Sequence, residues 1–161
     1  MMGVSCSCYW PHESSRCYKS HLHLHNRQRT RPLDRRRFLN AAQTLLRNLL
    51  RREQFDLGIY FVAAPEMTRL NEQFLQHAGS TDVITFDYSD PGQPELLIGE
   101  IFICVDEAVT QARRYRATWQ RELLRYLVHG VLHLSGYNDR SPAQRRRMRR
   151  TEDHFLRRLK S

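Results

Sequence analysis

Three side chains able to share one metal ion, His129, His133 and Asp139, fall in the short stretch His129-Gly130-Val131-Leu132-His133-Leu134-Ser135-Gly136-Tyr137-Asn138-Asp139. The histidines are four apart, so on a helix they stand one above the other on the same face, where two imidazole nitrogens can hold one ion. Gly136 can end that helix in a left-handed cap, and the returning chain would bring Asp139 to the same ion as an oxygen ligand. Three protein ligands leave a position open for water, which marks a catalytic zinc site, because bound zinc lowers the water's pKa to about 7. In the zincin pattern H-E-x-x-H the residue after the first histidine is the general base. Here it is Gly130, which disfavours a glutamate-assisted peptidase mechanism.

The element that must position the pair is a helix from Trp119 to Leu134, capped by Thr118. Leu123, Leu124, Leu127, Val131 and Leu132 form its apolar stripe, while His129 and His133 lie on the opposite side in line with Glu122 and Tyr126. From Tyr126 to Leu134 there is no Lys, Arg, Asp or Glu, so the histidine side is expected to be covered as well. Covered histidines need a partner.

The rest of the chain supplies a frame for that helix. His21-Leu22-His23-Leu24-His25 alternates with period two and predicts a half-buried strand with a solvent-facing histidine ladder. Asp34 is expected to cap a helix to about Arg52, Leu57 to Val62 reads as a core strand, and a helix beginning at Pro65 is broken by Ala78-Gly79-Ser80. Strands over Thr81 to Tyr88 and Leu96 to Cys104 flank a turn-rich loop and are expected to pair as a hairpin. Asp106 is expected to cap a helix through about Tyr115, and Ser141-Pro142-Ala143-Gln144 is a capping box opening a last helix that runs nearly to Lys160. The order predicts an α/β (α+β) fold, a small four-stranded mixed sheet with about five packing helices and a zincin-like metal helix.

The length of 161 residues suits one domain, expected over residues 21–161, with residues 1–20 an unstructured extension because they lack any periodic pattern. Cys6, Cys8, Cys17 and Cys104 are too few and too lopsided for a disulfide framework, and with His12 and His21 they match no zinc-finger spacing, so reduced thiols are expected. No apolar run approaches a membrane span and Met1 to Trp10 is not a signal peptide, which places the protein in the cytoplasm with no membrane partner. The net charge of +9 is uneven: Lys and Arg against Asp and Glu count 11 to 3 over residues 1–53, 1 to 10 over 54–110, and 14 to 4 over 111–161. Nearly all of the basic residues are arginine, whose planar fork suits phosphate oxygens and favours a nucleic-acid partner.

Several stretches together resemble one family. HGVLHLSGYND is similar to the HGxLHLxGYDH signature of the YbeY family, zinc-dependent endoribonucleases of ribosomal RNA maturation. Leu70-Asn71 followed by Thr81-Asp82-Val83-Ile84-Thr85-Phe86 resembles its LN…TDVLSF block, and Gly99-Glu100-Ile101 resembles its GDI strand. The resemblance implies one Zn2+ per chain, no nucleotide cofactor, and single-stranded RNA, ribosomal RNA and the small ribosomal subunit as partners. It further implies action at the 3′ end of small-subunit rRNA and in ribosome quality control. By the same resemblance Thr81, Asp82 and Glu100 border the cleft. Two departures stand out. Asn138-Asp139 replaces the usual Asp-His, making the third ligand a carboxylate, and Leu75 stands where the common pattern has an arginine associated with catalysis. With no arginine there, Arg140 is the nearest cation in sequence to the metal and His77 a candidate for proton transfer. Two other classes fit the same motifs, a non-catalytic RNA-binding assembly factor with a structural metal and a small metallopeptidase.

Overall fold

A computed structural model describes residues 20–159. Four strands, β1 (His21–Asn26), β2 (Gln54–Val62), β3 (Val83–Asp87) and β4 (Leu96–Cys104), form one sheet in the order β1-β2-β4-β3. The sheet is mixed, as expected. β1, β2 and β4 run parallel, and β3 lies antiparallel on β4 as the first arm of a hairpin. Parallel neighbours need long crossovers, which α1 (Arg35–Gln43) supplies between β1 and β2 and α2 (Ala64–Leu70) begins after β2. Then come α3 (Val105–Arg114), α4 (Trp119–Leu134) and α5 (Pro142–Arg158).

Strand alternation divides the core in two. Phe55, Leu57, Ile59 and Phe61 of β2 and Leu97, Ile101 and Ile103 of β4 are buried in one cluster with α1, α4 and α5. On the opposite face Val62, Ile84, Phe102 and Cys104 pack with Met67 of α2, and Cys104 is a buried free thiol. Cys6, Cys8, Cys17 and His12 lie outside the described residues, as does most of the expected N-terminal extension. The β1 histidines are exposed and stacked in a ladder that ends on Tyr60.

α4 lies against the sheet at unusually short range. A Cβ at Gly130 would stand 2.7 Å from Ile101 Cγ2, and one at Gly99 would stand 3.0 Å from both Leu134 δ-carbons. The residue after His129 is therefore glycine for a packing reason as well as lacking a base. This contact fixes the height of the histidine helix over β4.

Local chemistry explains where boundaries differ from expectation. The first helix does not stay α-helical to Arg52; it widens into a π-helical turn over Thr44–Leu49 and ends with Arg51 at φ 56. Asp106 does not cap its own helix. β4 runs straight into α3, so Cys104 is the N-cap and Asp106 sits in the first turn, where its carboxylate accepts from Ala64 N at 2.6 Å and Thr30 Oγ1 at 2.9 Å. It thus caps α2 from the neighbouring helix. β3 begins only at Val83, because the Asp82 carboxylate accepts from Val83 N and Thr81 Oγ1 and turns the chain before the ladder starts. The expected caps at Asp34, Thr118 and Ser141 are all present, the last as a full capping box.

Candidate metal centre

Helix α4 ends as its glycine dictates. Gly136 has φ +90, its N–H donates to the His133 carbonyl at 2.9 Å, and Tyr137 N–H reaches back to the Leu132 carbonyl at 3.0 Å. These are the paired bonds of a Schellman cap, which satisfy carbonyls left open at a helix end and reverse the chain. Reversal brings the Tyr137 carbonyl to 3.0 Å from His133 Nδ1 and Asp139 to the histidines.

His129 Nε2 and His133 Nε2 face each other at 2.9 Å, and Asp139 Oδ2 lies 3.9 Å from the first and 3.8 Å from the second. Ligand atoms around a tetrahedral zinc, each about 2.0 to 2.2 Å from the ion, stand about 3.4 Å apart, and the three edges of this triangle straddle that value. The protons decide whether the set suits a cation. A carbonyl can only accept, so the Tyr137 contact assigns a proton to His133 Nδ1 and leaves Nε2 as a bare lone pair. The Glu152 carboxylate, 2.8 Å from His129 Nδ1, does the same for the other ring. Two such lone pairs facing one another repel unless a cation lies between them, and a carboxylate oxygen completes the third corner. The donor set fits a divalent metal bound by two histidines and a carboxylate. Asp139 is 42% exposed on its side chain, so the triangle opens outward and keeps room for a further ligand.

The partner that covers the histidine helix is α5. Glu152 is only 6% exposed, and besides His129 it takes a 2.9 Å ion pair from Arg125, whose other nitrogen holds Asp153 at 3.0 Å. Burial would lower the His129 pKa, but the Glu152 hydrogen bond and charge outweigh it and raise the pKa. For His133 burial and the neighbouring His129 charge prevail, and its pKa is lowered. Burial would raise Glu152, yet His129 and Arg125 hold it below the usual carboxylate range. A metal-ligating histidine commonly gives its second N–H to a carboxylate or carbonyl, which fixes the ring and raises its basicity, and both histidines here do so. Sequence reading missed Glu152, Arg125 and the Tyr137 carbonyl.

A cavity of about 750 Å³ opens beside the triad between α4 and α5, and Asp82, Glu122, His129 and Asp139 are among the residues lining it. Asp82, expected at the cleft, is therefore there, and Thr81 holds its carboxylate by a 3.1 Å hydrogen bond. Glu100 is not. It alternates with Gly99 and Ile101, which touch α4, so its side chain lies on the other face of the sheet, accepting from Tyr60 Oη at 2.9 Å and Tyr88 Oη at 3.1 Å. Its expected place beside the metal is corrected by that alternation. Arg140 and His77 are both exposed and neither lines the cavity; the Arg140 carbonyl instead accepts from Arg145 at 2.9 Å. Leu75 ends a π-helical turn and is 45% exposed.

A mixed four-stranded sheet carrying a two-histidine, one-carboxylate centre on its covering helix defines a small α/β metalloprotein. Residues 23–160 match the model of one family, Endoribonuclease YbeY, and the chain belongs to that family. It is 37% identical over 138 residues to "Endoribonuclease YbeY" of Chlorobium luteolum, spanning 86% of this chain and 97% of the relative. A protein of the same name from Bacteroides thetaiotaomicron is 38% identical over 101 residues, 63% of this chain and 72% of that one. The solution structure of a Thermotoga maritima protein shares the fold, with a TM-score of 0.62 at 22% identity over 86% of this chain and 89% of that one.

Proposed function

We propose that this protein is a zinc-dependent, single-strand-specific endoribonuclease that acts in the cytoplasm on ribosomal RNA at the small-subunit 3′ end and in ribosome quality control. Membership of the family supports hydrolysis of RNA. The observation that carries the reading is the open triad of His129, His133 and Asp139 beside a cavity lined by arginines, a charge that suits phosphate. No described helix is long and apolar enough to cross a membrane.

A zinc ion held there would polarise a phosphoryl oxygen and make hydroxide available near neutral pH. The chain's own contribution is positional. Glu152 and the Tyr137 carbonyl lock both imidazoles, and the Schellman cap at Gly136 carries Asp139 into place. Asp82 faces the same cavity with one carboxylate oxygen engaged by Thr81 and Val83. Its other oxygen has no hydrogen bond among the described residues and is free to take a proton from attacking water. Gly130 argues against a peptidase, since it removes the base that such a helix would carry.

The test is cleavage of a single-stranded RNA by RNase-free protein with and without added zinc. Metal-dependent cutting that a His133→Ala variant lacks supports the reading. RNA left whole by the wild type, or cut equally by the variant, overturns it. An assembly factor with a structural metal would instead keep its cellular role in a His129→Ala variant.

A further inference from the structure

The cavity beside the triad is lined by five arginines, Arg121 and Arg125 from α4 and Arg145, Arg146 and Arg149 from α5, and Tyr115 stands at its rim. Two of the five are committed to the protein. Arg125 is ion-paired with Glu152 and Asp153, and Arg145 donates to the carbonyls of Asp139 and Arg140, tying the ligand loop to α5. The side chains of Arg121, Arg146 and Arg149 have no hydrogen bond or ion pair among the described residues, and all three are exposed. We propose that this groove is the binding track for the RNA strand on one side of the cleaved bond, with Arg121, Arg146 and Arg149 holding backbone phosphates and Tyr115 stacking an unpaired base. This rests on the nuclease reading above.

Helix periodicity aligns the cations with the centre. Arg121, Arg125 and His129 are successive members of one i, i+4 row, so Arg121 stands about 12 Å along α4 from His129. On α5, Arg149 precedes Glu152 by three residues and is its neighbour on the helix surface, and Arg146 precedes Arg149 by three and lines the same cavity. The same cavity is lined by five acids, Asp82, Glu122, Asp139, Glu152 and Asp153, of which Glu152 and Asp153 share the charge of Arg125 and Asp139 faces the histidines. The cations of the groove that have no hydrogen bond or ion pair among the described residues are Arg121, Arg146 and Arg149.

Leu75 is 45% exposed and supplies no cation. In this chain the free cations facing the cavity come from α4 and α5. Tyr115 is 65% exposed and belongs to neither core cluster, while the Arg114 guanidinium lies 5.6 Å from its ring centroid. An aromatic ring at the rim of an arginine-lined groove is the combination that binds single strands, since the backbone meets charge and any base offers a stacking face. An acidic peptide would use the arginines but has no need of the ring.

The experiment uses the full chain with metal removed by chelator, so that binding is read without cleavage, and a fluorescent single-stranded oligoribonucleotide followed by anisotropy across a salt series. Arg121→Gln, Arg146→Gln and Arg149→Gln are each expected to weaken binding and to flatten the slope of log K against log salt by about 0.7. Tyr115→Ala is expected to weaken binding about tenfold with the slope unchanged, and Tyr115→Phe to bind like wild type. Arg157→Gln, at the far end of α5, is expected to change neither. With metal restored, the three arginine variants should raise KM more than they lower kcat. Wild-type affinity and slope in all three variants would overturn the track while leaving the nuclease reading intact. Failure of the wild-type protein itself to bind the RNA at low salt would sink the nuclease reading. Displacement of the RNA by a poly-glutamate peptide, with Tyr115→Ala without effect, would assign the groove to an acidic protein partner and overturn the proposal.

Discussion

Glu152, in the middle of α5, accepts the proton of His129 Nδ1 at 2.8 Å, although the two residues are 23 apart in sequence and sit on different helices. The contact makes α5 part of the metal centre without giving it a ligand. Glu152→Gln keeps the shape but removes the charge that orients and activates the imidazole. Metal affinity is expected to fall about 10- to 100-fold, measured by competition with a chromophoric chelator. Unchanged affinity would reduce the pair to an interhelical tie.

Asp139 is the candidate third ligand that the Schellman cap delivers, and it approaches the histidines less closely than they approach each other. Asp139→Ala is expected to lose the stoichiometric metal. Asp139→His is expected to regain it with a nitrogen donor and a stronger preference for zinc over harder ions. Metal analysis of the purified variants reads both outcomes. Full metal content in the alanine form would remove Asp139 from the coordination sphere.

How far the centre was legible depended on distance along the chain. The histidine spacing, the glycine cap and Asp139 all obey local rules, so they could be read from eleven consecutive residues. Glu152 needed a long-range contact, yet it left a trace: with Met148, Phe155 and Leu156 it lies on the buried stripe of a helix otherwise rich in arginine. A carboxylate on such a stripe requires a partner. Glu100 was misplaced for a different reason. Both faces of β4 carry apolar residues, so alternation separated Glu100 and Phe102 from Gly99 and Ile101 without saying which pair α4 covers. Asp106 looked like a cap because it precedes a helical pattern; the missing signal was that β4 enters α3 with no loop between them.

Asp106 provides a stability prediction. Its carboxylate takes the otherwise open N–H of Ala64 and the Thr30 hydroxyl, joining the start of α3 to the start of α2 and to the segment after β1. Asp106→Ala leaves the first-turn N–H of α2 without its cap, at a cost of about 1 to 2 kcal/mol. Denaturant melts should show a lower midpoint with an unchanged m-value. Metal content should hold, because the contact lies away from the triad.

Gly130 has two roles that a substitution can separate. As the residue after His129 it would host a general base in a peptidase, and as the point of closest approach it lets α4 rest on Ile101. Gly130→Ala adds only a methyl, and alanine favours helix by about 1 kcal/mol over glycine, so an open site would be stabilised. The added carbon would meet Ile101 Cγ2 at 2.7 Å, with Val83 and Thr85 methyls at 3.4 Å, and a β-branched neighbour has little rotamer freedom to yield. Overpacking of about 1 to 3 kcal/mol is expected to win, lifting the C-terminal half of α4 and lowering both the melting temperature and metal affinity. Ile101→Ala makes a cavity by itself, but in the double variant it vacates the volume that the new methyl needs. The pair should therefore be less destabilised than the sum of the two single changes, by about 0.5 to 3 kcal/mol in a double-mutant cycle. Strict additivity would mean that α4 is not held at its height by this contact.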